Sequence, residues 1–299
     1  MRDSMIRMIA VVFGLPGLMM ACSALALVKD GRVFLGGNND TSYSDRLKLR
    51  ATPGTNGLYG RVCISSDPVP GWSSFGTLCL NERGLAVTHA NTPPGGLPHE
   101  SDKPHFKHNF IEKVIADAAT VKQAVALVRA YTWPAEVEAG MHMMLADASG
   151  DAAVIEWWGG EMKVIQREGP TLFMTNSVLS APNPAGGPNS RYNRGMKMLT
   201  QLKEASADSV FSVLKEISVG GVLKGREVGT LHSGVWDITR GEFHLVYKRD
   251  FDHPLVFKLS EELAKGEHSV DLTTLFPNPV PFETAWRDEN GPVVRKAAQ

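Results

Sequence analysis

Cys22 stands where a disposable leader meets the first strand, and that junction constrains the fold more than any other feature of the chain. Residues 1 to 21 run from basic (Arg2, Arg7) through an apolar stretch, Met8 to Met20, broken only by Gly14, Pro16 and Gly17, to a small residue, Ala21. Basic, apolar and small segments in that order read as an export signal, which predicts an exported protein, periplasmic or secreted. Cleavage between Ala21 and Cys22 would make Cys22 the first residue of the mature chain. Such a residue carries a thiol and a free α-amine together, so nucleophile and base come from one position. An α-amino group titrates at about 7.7 to 8 and can take a thiol proton near neutral pH.

Three other readings of Cys22 stay open at this point. Met19-Met20-Ala21-Cys22 can be read as a lipobox, which would make the protein a lipid-anchored binding protein with its thiol consumed. Self-cleavage of a propeptide at Cys22 would give the same mature chemistry as signal removal. The third reading is a buried structural cysteine, the commonest fate of a free thiol.

After Cys22 the pattern is that of a hairpin. Ser23 to Val28 reads as a strand, Asp30-Gly31 as a tight turn and Arg32 to Asp40 as a second strand, placing Cys22 on a sheet edge. Leu78 to Leu80 and Leu85 to Thr88 flank a second hairpin turn at Asn81-Glu82-Arg83-Gly84, and the strand beyond it runs out at Asn91 before Pro93-Pro94-Gly95. Residues 106 to 131 switch to helical spacing through Phe110, Val114, Ile115, Val121, Ala124, Val125 and Val128, with Thr120 as N-cap. Strands return at Met141 to Asp147, Asp151 to Trp158, Glu161 to Gln166 and Thr171 to Ser177, the last placing Asn176 at a strand end as Asn91 is placed. Helices follow over 190–202 and 206–217, then a strand pair, Thr230 to Asp237 and Glu242 to Lys248. The stretch from Arg46 to Gly60 reads as turn-prone, and the chain beyond Asp250 as mixed, with an extended tail at Pro277, Pro279 and Pro281. Hairpins with inserted helices predict an α+β fold with mainly antiparallel sheets, as a single domain over 22–299.

Lys plus Arg and Asp plus Glu nearly balance, for a formal net charge of −1, so electrostatics give no reason to expect nucleic acid or an anionic membrane surface as partner. No apolar run is long enough to span a bilayer, so no membrane association is expected once the leader is gone. Three cysteines leave one odd thiol, and a Cys63–Cys79 disulfide, joining neighbouring strand-like segments, would leave Cys22 free. His99, His105 and His108 with Glu100 and Asp102 fit no zinc spacing and read as a polar loop, and no metal or organic cofactor is implied. No Gly-x-Ser-x-Gly or phosphate-binding Gly loop points to a serine hydrolase or a nucleotide enzyme.

Taken in order, Cys22, Gly36-Gly37-Asn38-Asn39-Asp40, Leu80-Asn81-Glu82-Arg83-Gly84-Leu85-Ala86-Val87 with Asn91, Met174-Thr175-Asn176-Ser177, Ser190-Arg191-Tyr192 and His232-Ser233-Gly234-Val235-Trp236-Asp237 form a series. The series resembles the N-terminal-nucleophile (Ntn) hydrolases of linear amides, the superfamily of choloylglycine (bile-salt) hydrolases, penicillin V acylases and penicillin acyltransferases. The resemblance implies a four-layer αββα sandwich with Cys22 as nucleophile at the sheet edge and Asp40 as the carboxylate that holds its α-amine. It further implies that Asn91 and Asn176 line the oxyanion site, and that Arg191, with Arg194 in reserve, biases the thiol toward thiolate. The implied partner is a small-molecule N-acyl amide, oligomeric state is left open, and hydrolase and acyltransferase share one acyl-thioester. Gly37 stands where the bile-salt hydrolases place an arginine, and the Asn176-to-Arg191 spacing is short. Both departures move the likeness toward the penicillin acyltransferase side.

Overall fold

The computed structural model describes residues 22–67, 76–95, 102–104, 110–132, 140–182, 190–223 and 225–282. The leader, Trp72, the Pro68–Gly71 turn and His99, Glu100, His105 and His108 lie outside the described residues.

Two strands open the fold, β1 (Ser23–Lys29) and β2 (Arg32–Ser42), joined by Asp30 and Gly31 with φ of 53° and 72°. Positive φ at both turn residues matches the right-handed twist of a two-residue hairpin, which is why Asp-Gly serves there. The chain then forms β3 (Leu47–Thr52), β4 (Arg61–Ser66), β5 (Gly76–Asn81) and β6 (Leu85–Asn91). Helices α1 (Phe110–Asp117) and α2 (Val121–Arg129) follow, then β7 (Met141–Asp147), β8 (Ala152–Trp158), β9 (Glu161–Gln166) and β10 (Thr171–Met174). Helices α3 (Arg191–Leu199) and α4 (Ala207–Glu216) precede β11 (Gly220–Leu223), β12 (Arg226–Asp237), β13 (Glu242–Tyr247) and β14 (Leu255–Lys258). Two short helices, α5 (Leu259–Ala264) and α6 (Leu272–Leu275), bracket β15 (His268–Asp271).

Among the described residues the strands make two antiparallel sheets. One runs β10-β1-β2-β12-β13-β14, with β11 on β12; the other runs β15-β3-β4-β5-β6-β7-β8-β9. Alternation along each strand sorts the buried side chains into three layers. Ala24, Ala26, Leu35, Ile64, Leu78, Leu80, Ala86 and Met144 fill the space between the sheets. Leu25, Leu27 and Phe34 face outward onto Val210, Val213 and Leu214 of α4, while Val87, Met143 and Leu145 face outward onto Phe110, Val114 and Val121 of α1 and α2. The result is the four-layer αββα sandwich expected from the sequence.

Local chemistry fixes several joints. Thr120 caps α2 by accepting from the Gln123 N–H, as the sequence predicts, and Ser190 and Ser206 cap α3 and α4 in the same way. Asn81, fully buried, donates to the carbonyls of Ile115 (2.8 Å) and Ala118 (2.7 Å) and accepts from the N–H groups of Arg83 and Leu85. One side chain thus ties the β5–β6 turn to the end of α1. A buried amide with all of these contacts met adds a fixed joint, whereas an unmet one would cost about 1–3 kcal/mol.

The structure corrects three expectations. Cys22 does not lie on an edge strand, because β10 adds to the free side of β1 and makes β1 the second strand in. Leu47–Thr52 is a strand rather than turn, with Leu47, Leu49 and Ala51 buried and the intervening residues half-buried. Beyond Asp250 the chain supplies two further strands and two helices, with β14 adding to β13 and β15 to β3.

Cys63 and Cys79 stand directly opposite each other on β4 and β5 and are joined as a disulfide, with Cα atoms 4.1 Å apart. Both face α1 rather than the inter-sheet layer. Thiol titration of the denatured, unreduced protein should find one thiol, Cys22, and three after reduction; three thiols without reductant would exclude the bridge.

Candidate active site

Strand register brings the site together. The β1–β10 pairing sets Ala24 against Met174, so two residues further along the same register Cys22 is aligned with Asn176. On the other side Ser23 pairs with Asn38, which puts Cys22 level with Asn39 and one residue from Asp40. Asp40 in turn pairs with Thr230 of β12. Arg191 comes from the first residue of α3, a helix docked on β10 by Phe173, whose ring stacks on Tyr192 with centroids 5.4 Å apart. Gly195 permits that docking, since a Cβ there would lie 2.5 Å from the Phe173 ring.

The contacts form one chain through all five residues singled out from the sequence. The Cys22 thiol points at the Asp40 carbonyl at 4.0 Å. Asp40 Oδ2 meets Arg191 Nη1 at 3.5 Å, and Arg191 Nη2 donates to Asn176 Oδ1 at 2.5 Å. Asn176 Nδ2 donates to the Asn91 carbonyl at 2.8 Å. Asn91 therefore enters through its main chain. Arg194 pairs with Glu216 at 3.5 Å and reaches the site only through its charge, which adds to the lowering of Arg191.

Thr230 was not visible as a site residue in the sequence. Its hydroxyl donates to Asp40 Oδ1 at 2.5 Å and accepts from the Val219 N–H at 3.0 Å, while its carbonyl accepts from the Tyr43 hydroxyl at 3.1 Å. A threonine inside a strand carries no local mark of such a role, and the β-bulge between Thr230 and His232 that aims it belongs to the pairing with β2.

Burial sets the electrostatics. It pushes the Asp40 carboxyl up from 3.8 to about 7, against the pull of Arg191, the Thr230 hydroxyl and Arg249. It also pushes the Cys22 thiol up to about 12, an effect that the Asp40 charge adds to and Arg191 opposes. Burial lowers the Arg191 guanidinium from its ordinary value, with Asp40 and Cys22 opposing. While Cys22 remains in peptide linkage to Ala21, its thiol is thus fully protonated at neutral pH. Among the described residues no group of three His, Cys, Asp or Glu side chains is arranged to hold a metal ion.

The family model for acyl-coenzyme A:6-aminopenicillanic acid acyl-transferase matches residues 70–250. The chain belongs to this family. The acyl-transferase family sits within the Ntn superfamily whose enzymes act on linear amides. Two solved structures share the family's sandwich. A mutant of the conjugated bile acid hydrolase from Clostridium perfringens aligns at TM-score 0.64 and 15% identity, over 84% of this chain and 96% of that one. Penicillin V acylase from Agrobacterium tumefaciens aligns at TM-score 0.61 and 20% identity, over 84% and 90%. No curated protein matches the chain significantly.

The raised Asp40 value carries a prediction for the unprocessed chain. Between about pH 4 and about pH 7 the folded state holds a proton on Asp40 that the unfolded state has released, so stability from this group is full below the unfolded value of 3.8 and is lost as pH rises toward about 7. Relative to Asp40→Asn, the wild-type urea midpoint should fall across that window and run parallel above it. A wild-type midpoint that rises against the variant's would contradict the assignment.

Proposed function

We propose that the protein is an exported cysteine amidase in which Cys22, freed at its amine by loss of residues 1–21, attacks the carbonyl of an N-acyl compound. The observation that carries this reading is the unbroken line of contacts from the Cys22 thiol through Asp40 and Arg191 to Asn176 and Asn91. In the unprocessed chain that thiol has no base and is pushed up to about 12. A free α-amine at the same residue supplies the base, and its ammonium form is matched by the adjacent Asp40 carboxylate.

The steps follow from those groups. The amine takes the thiol proton as sulfur bonds to the carbonyl carbon, and negative charge moves to the carbonyl oxygen. The Asn176 amide donates to that oxyanion without any change of protonation state. Collapse expels the leaving amine, which takes the proton back from the ammonium, and leaves an acyl-thioester on Cys22. Water releases the acyl group in a hydrolase, and an acceptor amine does so in an acyltransferase; the family match supports keeping the second outcome in view. Penicillin V and bile-acid amides, on which the two structural relatives act, define the first substrates to screen. At Gly37 a Cβ would meet the Ser23 carbonyl at 3.2 Å and Thr88 Oγ1 at 3.4 Å, so any side chain there would press on β1 and β6. Lipidation of Cys22, the other reading of that junction, would consume the thiol that this reading requires.

Intact mass and N-terminal sequencing of the exported protein should show a chain beginning at unmodified Cys22. That mature form should be alkylated by iodoacetamide at pH 7.5 at least tenfold faster than the unprocessed chain and should turn over an N-acyl amide. Asn176→Ala should lower kcat by roughly 10²- to 10³-fold, and Cys22→Ser turning over at the wild-type rate would refute the nucleophile.

A further inference from the structure

Behind Asn176 lies a buried pair that no step above uses. His142 on β7 and Glu156 on β8 have side chains at 0% and 1% exposure, with His142 Nδ1 3.3 Å from Glu156 Oε2. The other ring nitrogen, Nε2, lies 2.7 Å from the carbonyl oxygen of Thr175, the residue just before Asn176. A carbonyl oxygen can only accept, so Nε2 carries a proton. Glu156 Oε2 also accepts the Leu179 N–H at 2.9 Å and Oε1 accepts the Ser180 N–H at 2.6 Å. Two main-chain donors on one carboxyl group favour its ionised form. Glu156 Oε2 also faces Nδ1, so both ring nitrogens of His142 are engaged, one by β8 and one by the Thr175 carbonyl.

The surroundings favour the ionised carboxylate of Glu156. Burial pushes the Glu156 carboxyl up, but the hydrogen bonds from His142, Ser180 and the N–H groups of Leu179 and Ser180 more than offset it and leave it below its ordinary value. His89 on β6, which feels the charge of His142, is held neutral chiefly by burial, with His142 and then His232 adding to the effect, down to about 3.

We propose that His142 and Glu156 are positioning residues, a buried histidine–carboxylate pair that grips the main chain at Thr175, Leu179 and Ser180 and so holds Asn176 in place for the oxyanion formed at Cys22. This inference rests on the amidase reading above. The pair touches neither the thiol nor the substrate. It fixes both ends of the turn that carries Asn176, while Arg191 and the Asn91 carbonyl fix the side chain.

The test compares two reactions of Cys22 in the mature protein. Acylation by p-nitrophenyl acetate passes through an oxyanion and releases a burst of nitrophenolate, whereas alkylation by iodoacetamide passes through none. Glu156→Gln places an amide NH₂ where acceptors are needed, and should slow acylation at least tenfold while changing alkylation less than twofold. Asn176→Ala should show the same split, and the double variant should be no slower than Asn176→Ala alone, because residues acting as a unit are not additive. Should Glu156→Gln fail to fold, His142→Gln, whose amide can still donate to Thr175, should give the same selective loss. Equal slowing of both reactions, or additive losses in the double variant, would overturn the positioning role alone. A burst that survives Cys22→Ala would overturn the amidase reading and this inference with it.

Discussion

A carboxylate with almost no access to water must be given partners or a proton, and at Asp40 that requirement ties three strands and a helix to one point. The residue sits on β2, accepts from Thr230 on β12 and faces Arg191 at the start of α3, while β1 brings the Cys22 thiol against its main-chain carbonyl. An uncompensated buried charge costs several kcal/mol. Without the Arg191 charge or the Thr230 hydroxyl the carboxyl group would hold its proton to still higher pH. The rest of the site is arranged around that single demand.

The layers of the sandwich are shaped to meet it. Between the sheets, small residues at Ala24, Ala26, Gly37, Ala86 and Ala90 let β1 and β2 approach β6 closely, and Gly234 accepts the Leu78 and Phe243 side chains over its backbone. Close approach is what allows a loop from beyond β10 and the end of β6 to meet over the end of β1. Asn91 ends β6 and Asn176 follows β10, strands of different sheets, and their 2.8 Å contact closes the layer gap beside Cys22.

Much of this was legible in the sequence. The hairpin turns at Asp30-Gly31 and Asn81–Gly84, the helix cap at Thr120, and the placement of Asn91 at the end of β6 and of Asn176 just past β10 follow from local chemistry, which acts within a few residues and leaves its mark there. The strand at Leu47–Thr52 also carries its mark, a period of two in Leu47, Leu49 and Ala51, beside a turn-rich segment that obscures it. What the sequence hides is non-local. That β10 covers β1, that Thr230 rather than a neighbour meets Asp40, and that Glu156 receives two N–H groups from a turn more than twenty residues away are consequences of pairing. No window on the chain contains both partners.

Under the proposed function, the charge balance at Cys22 would let one fold hold a silent thiol and a nucleophile in turn. In the unprocessed chain Asp40 and Cys22 compete for the Arg191 charge in a buried space, and burial keeps both near their protonated forms, at about 7 and about 12. Cutting the bond before Cys22 adds a group that can carry a positive charge without adding a negative one. By linkage, that ammonium favours the Asp40 carboxylate and the Cys22 thiolate, and they in turn favour the ammonium. Processing as proposed would therefore supply more than a base. It would change the protonation state that the whole buried network prefers, using side chains whose positions are fixed beforehand by the sheets.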